Sequence, residues 1–186
     1  MTVEAYEHTE FNSILNSADI VAPDGQPISL FLRYLKKVNQ QRVCGLDLFP
    51  DLLREAEARG KSIFLYGTTE EVLNRIFDKA KVEFPALKIC GLCAPPFRAL
   101  TPSEETAIIN QINDARPDLV LVALGCPKQE QWMADHKGKI HGCMLGLGHA
   151  FHIYAGTAKR CPLWLRGPRA GPRCWSCGRS SGRDPA

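Results

Sequence analysis

Ser62-Ile63-Phe64-Leu65-Tyr66-Gly67-Thr68-Thr69 decides the architecture, because a short apolar run ends in a glycine turn and then in a residue suited to cap a helix. Behind it Val72, Leu73, Ile76, Phe77 and Ala80 recur at helical spacing, with Glu70, Glu71, Arg75, Asp78 and Lys79 off that stripe. Pro85 stops the helix, since proline lacks the donor that would continue the ladder. The first unit is therefore strand, turn, helix.

The unit recurs downstream. Residues 87–91 read as a strand, 103–115 as a helix with Ser103 as its N-cap, and 118–124 as an uninterrupted Leu/Val strand buried on both faces. Residues 127–136 read as a third helix and 143–146 as a further strand. Strands alternating with helices over short connections predict an α/β fold, a Rossmann-like, mostly parallel sheet flanked by helices in a single domain. Upstream, residues 18–22 read as a strand ending in Pro23-Asp24-Gly25, 27–38 as an amphipathic helix, and 46–59 as a helix closing at Gly60.

A chain of 186 residues with 45% hydrophobic side chains is large and apolar enough for one core, which excludes wholesale disorder. The net charge of +3 resides in the last 20 residues, because residues 1–166 carry 19 basic and 19 acidic side chains. A balanced body argues against a nucleic-acid face. Residues 167–186 hold four Gly, four Arg, three Pro and three Ser, and read as a disordered basic tail with the composition of a shifted reading frame. No basic-then-apolar leader or clean membrane span is evident, so a cytoplasmic location is expected. The eight cysteines read as reduced, mostly buried thiols. A zinc site would need Cys90/Cys93 and Cys174/Cys177 to meet across the chain, so no metal is expected.

In doubly wound sheets ligands sit beyond the carboxyl ends of the strands, where helix amides attract anions. Pro23-Asp24-Gly25, Gly67-Thr68-Thr69 and Gly125-Cys126-Pro127-Lys128-Gln129-Glu130 fall there, although each also reads as ordinary strand-to-helix punctuation. Neither GxGxxG nor GxxxxGK[ST] occurs, so dinucleotide binding and P-loop hydrolysis have no support.

Four motifs in register are more specific than any one of them. Ala18-Asp19-Ile20-Val21-Ala22-Pro23-Asp24-Gly25, Arg42-Val43-Cys44-Gly45-Leu46-Asp47-Leu48-Phe49-Pro50, Gly125 to Trp132, and Gly146-Leu147-Gly148-His149-Ala150-Phe151 with Ala155-Gly156 resemble, in order and spacing, the WecG/TagA/CpsF glycosyltransferase family. Residues 158–165 resemble that family's KRAP-type segment, so the resemblance covers a domain of residues 1–166. Family members carry a Thr-x-Asn segment before the point that Met1 occupies, which makes Met1 look like an internal methionine and the domain's N-terminal part missing.

The resemblance implies transfer of an N-acetylmannosamine-like or uronic-acid sugar from a UDP-sugar to a polyprenyl-diphosphate-linked acceptor. It implies inversion, no cofactor, peripheral contact with the inner face of the plasma membrane, and association into homo-oligomers. Asp24 matches the family's base. Arg42 matches an arginine that could face the diphosphate, unless it pairs with Asp47. Gln129 and Glu130, beside Pro127 and Lys128, could read the donor, unless Glu130 caps its helix and Lys128 is merely solvated. Gly67 and Thr68 match a loop that could cradle phosphate through its amides. His152 stands where the family usually has an acid, and it and the other histidines read as packed or solvated residues. The rival reading is an inactive remnant that keeps only UDP-sugar binding.

Overall fold

A computed structural model describes residues 2–160, and the tail expected at 167–186 lies outside the described residues. Twelve elements are ordered α1 (Thr2–Glu7), α2 (Thr9–Ser17), α3 (Gln26–Tyr34), α4 (Gly45–Ala58), β1 (Ser62–Gly67), α5 (Glu70–Glu83), β2 (Lys88–Cys93), α6 (Pro102–Asp114), β3 (Leu119–Ala123), α7 (Lys128–Asp135), β4 (Cys143–Gly146) and α8 (Ala150–Tyr154). The four strands form one parallel sheet in the order β2-β1-β3-β4. The α/β fold with helices flanking a parallel sheet is thus as the alternation predicts.

The central strands explain the continuous apolar runs. In β1 the side chains of Ile63 and Leu65 join one core with α4, α5 and α8, while Phe64 and Tyr66 join a second with α6 and α7. In β3, Leu121 and Ala123 belong to the first core and Val120 and Val122 to the second. A strand covered on both faces has no polar side, so its sequence shows no alternation. Phe49, Leu53, Ile76 and Phe151 are fully buried in the first core, with Phe49 and Phe151 edge to face at 5.1 Å.

Several local expectations are corrected. Residues 18–22 form no strand: nothing pairs with their backbone in the sheet, and Ile20 and Val21 are exposed. The helix expected over 27–38 ends at Tyr34, with Lys37 in the left-handed region at φ 54°. The N-cap of α6 is Thr101, not Ser103. Its hydroxyl accepts from the Glu104 amide while the Glu104 carboxylate accepts from the Thr101 amide, a capping box that satisfies two free donors at once. β2 runs past the expected end at Gly91 to Cys93, so both Cys90 and Cys93 lie within the strand. Of the described cysteines only Cys44 is buried, while Cys126 and Cys143 are exposed, because both sit at strand and loop ends that the core does not reach.

Candidate functional site

The strand order locates a crevice. From β1 the chain crosses through α5 to β2 on one side, then returns through α6 past β1 to β3 on the other. The loops after β1 and β3 therefore diverge to opposite faces, which makes the carboxyl ends of these two strands the topological switch point. Gly67 at the end of β1 pairs with Ala123 at the end of β3.

Gly67 is required there. Its φ is 111°, and a Cβ on it would lie 2.5 Å from the Ala123 carbonyl oxygen, so only glycine admits this approach. Thr68 follows at φ 54°, buried, with its amide donating to the Ala123 carbonyl at 3.0 Å. That amide is therefore committed within the protein. Thr69 caps α5 by accepting from the Val72 amide, and Glu70 and Glu71 occupy the first turn. Two carboxylates at a helix start repel an anion. The loop shapes the crevice, with the Thr68 amide among those expected to cradle phosphate taken up by the Ala123 carbonyl.

Across the crevice, α7 begins behind the cis peptide Cys126-Pro127, with Pro127 half-buried at the N-cap and Lys128 exposed. Gln129 and Glu130 are each 8% exposed. The Gln129 amide donates to Glu130 Oε1 at 2.8 Å, while Gln129 Oε1 and Glu130 Oε2 have no hydrogen-bond partner. Glu130 thus does not cap α7. It instead faces the Cys126 thiol, whose pKa is pushed up by partial desolvation and then by this carboxylate. Gly146, which ends β4, and Gly148 just beyond it close around the side-chain amide: added Cβ atoms there would meet the Gln129 side chain at 3.1–3.2 Å, and at Gly146 also Met133 at 3.0 Å.

Asp24 lies outside the sheet, in the extended stretch before α3, with its side chain 64% exposed. Arg42 reaches it: the Arg42 Nε donates to the Asp24 backbone carbonyl at 2.6 Å, and a terminal nitrogen stands 3.7 Å from the carboxylate. Arg42 does not pair with Asp47, which Arg160 takes instead. Cys44, at the N-cap of α4, turns its thiol toward the Asp24 carboxylate. Burial and then that carboxylate push the thiol's pKa up.

Next to Cys44, a Cβ added at Gly45 would meet the Leu147 carbonyl oxygen at 3.7 Å, and the Leu147 and Gly148 amides donate to the Val122 carbonyl near the end of β3. A continuous chain of contacts therefore joins Asp24 through Arg42, Cys44 and Leu147 to Gln129. Gly67 and Thr68 thus follow β1 and Pro127 to Glu130 follow β3, while Asp24 and Arg42 pair with each other outside the sheet.

Two participants were not read from sequence. His152, expected to be a packed or solvated residue, bridges the Thr68 hydroxyl and the Thr157 hydroxyl, each at 3.2 Å, and stacks on His149 at 5.7 Å between ring centroids. Desolvation, and then the electrostatic influence of the neighbouring His149 ring, lower its pKa. Its partner Thr68 lies 84 residues away, so no local pattern signals the contact. The cradle of Gly146 and Gly148 around Gln129 does have a signal, since glycines two apart after a strand mark a close approach. Two surface hollows, of about 400 Å³ between α5 and β2 and about 220 Å³ beside the first turn of α5, lie to the β2 side of the crevice. Among the described residues, no group of three His, Cys, Asp or Glu side chains converges as metal ligands would.

The strand order defines a doubly wound α/β protein whose switch point lies between the carboxyl ends of β1 and β3. The model of the family described as Glycosyl transferase WecG/TagA/CpsF matches residues 1–169, and the chain belongs to that family. Among its relatives are proteins named N-acetylglucosaminyldiphosphoundecaprenol N-acetyl-beta-D-mannosaminyltransferase from three bacteria. That of Bacillus subtilis is 32% identical over 87% of this chain and 61% of its own length. That of Bacillus spizizenii is 30% identical and that of Staphylococcus aureus 25%, each over 87% of this chain and 62% of its own. The chain spans about three-fifths of the length of these relatives.

Proposed function

We propose that this chain is an inverting glycosyltransferase that moves a sugar, N-acetylmannosamine-like or a uronic acid, from a UDP-sugar to a polyprenyl-diphosphate-linked sugar at the inner face of the plasma membrane. The observation that carries the reading is the buried Gln129–Glu130 pair, with two acceptor oxygens left without partners beside the switch point. A buried acceptor without a donor costs about 1–3 kcal/mol, a penalty relieved when a ligand N–H or O–H arrives. The N–H of uracil and the hydroxyls of a sugar are such donors.

The remaining groups divide the chemistry. The Asp24 carboxylate takes the proton of the acceptor hydroxyl as its oxygen bonds to the anomeric carbon, and the bond from that carbon to the UDP oxygen breaks from the opposite face. Arg42, anchored through the Asp24 carbonyl, offers its terminal nitrogens to diphosphate oxygens, and Lys128 adds a second cation. Gly67 and Thr68 hold β1 against β3 so that these groups converge.

The test is calorimetric titration of UDP into the chain. Micromolar binding that weakens in Gln129→Leu and Arg42→Ala is the expected result. Absence of UDP binding by protein that melts cooperatively would overturn the reading.

A further inference from the structure

The helix that follows Asp24 is folded with its apolar side outward. Among the described side chains of α3 the buried one is Ser29, whereas Phe31 is 50% exposed and Tyr34 72%, and Leu35 just beyond is 70% exposed. Helical positions advance by 100°, so Leu30, Phe31 and Tyr34 share one face, and that face is the outer one. Charge follows the same logic. From Gly25 to Leu46 the sequence contains Arg33, Lys36, Lys37 and Arg42 and no carboxylate.

Apolar tips flanked by cations are the pattern of a helix that lies in a lipid interface, where the apolar face is buried at the headgroup boundary and the cations meet anionic lipid. A surface that is both negative and apolar beneath satisfies both features at once. Asp24 stands at the foot of this helix, next to its N-cap Gly25, so a docked α3 holds that carboxylate at the level from which a lipid-linked diphosphate projects.

We propose that the outward face of α3, with Phe31, Tyr34 and Leu35 flanked by Arg33, Lys36 and Lys37, docks on an anionic lipid bilayer. The consequence for the acceptor rests on the glycosyltransferase reading, whereas the docking itself does not.

The test is sedimentation of the full chain with protein-free vesicles, either of phosphatidylcholine alone or of equal parts phosphatidylcholine and phosphatidylglycerol. The chain is expected to bind the anionic vesicles at least about tenfold more tightly than the neutral ones. Phe31→Ser with Tyr34→Ser lowers that affinity about tenfold or more, as does Lys36→Gln with Lys37→Gln. Replacing Arg169, Arg173, Arg179 and Arg183 by Gln changes it by less than about threefold.

The docking is overturned if the chain ignores anionic vesicles or if the Phe31/Tyr34 variant binds like the parent. It is equally overturned if binding follows the four arginines, or if the parent is a dimer that the Phe31/Tyr34 variant dissociates. Should that variant melt early, Tyr34→Trp in the otherwise native chain replaces it: quenching of its fluorescence by brominated lipid supports the docking, and unquenched fluorescence overturns it. UDP binding without vesicle binding removes the docking alone, and vesicle binding without UDP binding removes the glycosyltransferase reading alone.

Discussion

Gly67→Ala tests how the crevice is built. The added Cβ falls 2.5 Å from the Ala123 oxygen, 2.6 Å from its carbon and 3.0 Å from its nitrogen, all backbone atoms. Ordinary contact starts near 3.4 Å, so the central strand pair must open by about 0.9 Å at the point where the Thr68 amide also donates to Ala123. Overpacking of this kind costs about 1–3 kcal/mol. Holding alanine at a positive φ adds about 1–2 kcal/mol.

The expected loss of about 2–5 kcal/mol corresponds to a melting temperature lower by roughly 4–20 °C for a chain of this size. Thermal unfolding followed by circular dichroism measures it, with Gly60→Ala as the comparison, since Gly60 has φ 62° but nothing within 4 Å of its would-be Cβ. Gly60→Ala carries the conformational cost without the crowding. A Gly67→Ala shift no larger than that of Gly60→Ala would refute the close-approach argument.

Three further outcomes are expected. Asp24→Asn leaves UDP affinity within about threefold of the parent and lowers turnover with a lipid-linked acceptor about 10²–10⁴-fold, the range for loss of a general base; unchanged turnover in a coupled UDP-release assay removes Asp24 from that role. Gln129→Leu, which strips Glu130 Oε1 of its donor, weakens UDP binding by about tenfold in calorimetry, and equal affinity would detach the pair from the ligand. His152, whose folded pKa lies below its ordinary value, binds a proton less readily folded than unfolded, so its stabilising contribution is complete above about pH 6.5 and declines as pH falls from there through the folded pKa. Urea midpoints at pH 7.5 and 5.5 should therefore differ less in His152→Gln than in the parent, and an equal difference in both would contradict that sign.

The parts of the fold legible in sequence are those where local chemistry and burial agree. β1 and β3 are apolar at every core position because helices cover both faces, and α5 shows one stripe because only one side meets the sheet. Residues 18–22 mislead for a physical reason: Ile20 and Val21 look like strand residues but stand 88% and 55% exposed with no neighbouring strand to pair them. Thr101 and Ser103 both qualify as caps, and the Glu104 side chain selects Thr101 because its backbone amide lies within reach. In the site, Asp24 and Arg42 were visible as residues, but their partnership, with Arg160 claiming Asp47, depends on chain separations no local pattern encodes. The same holds for His152 and Thr68.

The contact chain from Asp24 to Leu147 also sets an order of events during synthesis. Gly45 leans on Leu147, α2 packs on α7, and Lys137 holds the Ser17 carbonyl and the Asp19 carboxylate. These partners of the first 45 residues are all made about a hundred residues later, so the opening segment leaves the ribosome long before the groups that fix it. Such distant contacts are the slow ones to form. Asp24 and Arg42, joined to each other, are in place early, but the segment that carries them is held against the sheet only when the fourth strand and its following loop have emerged.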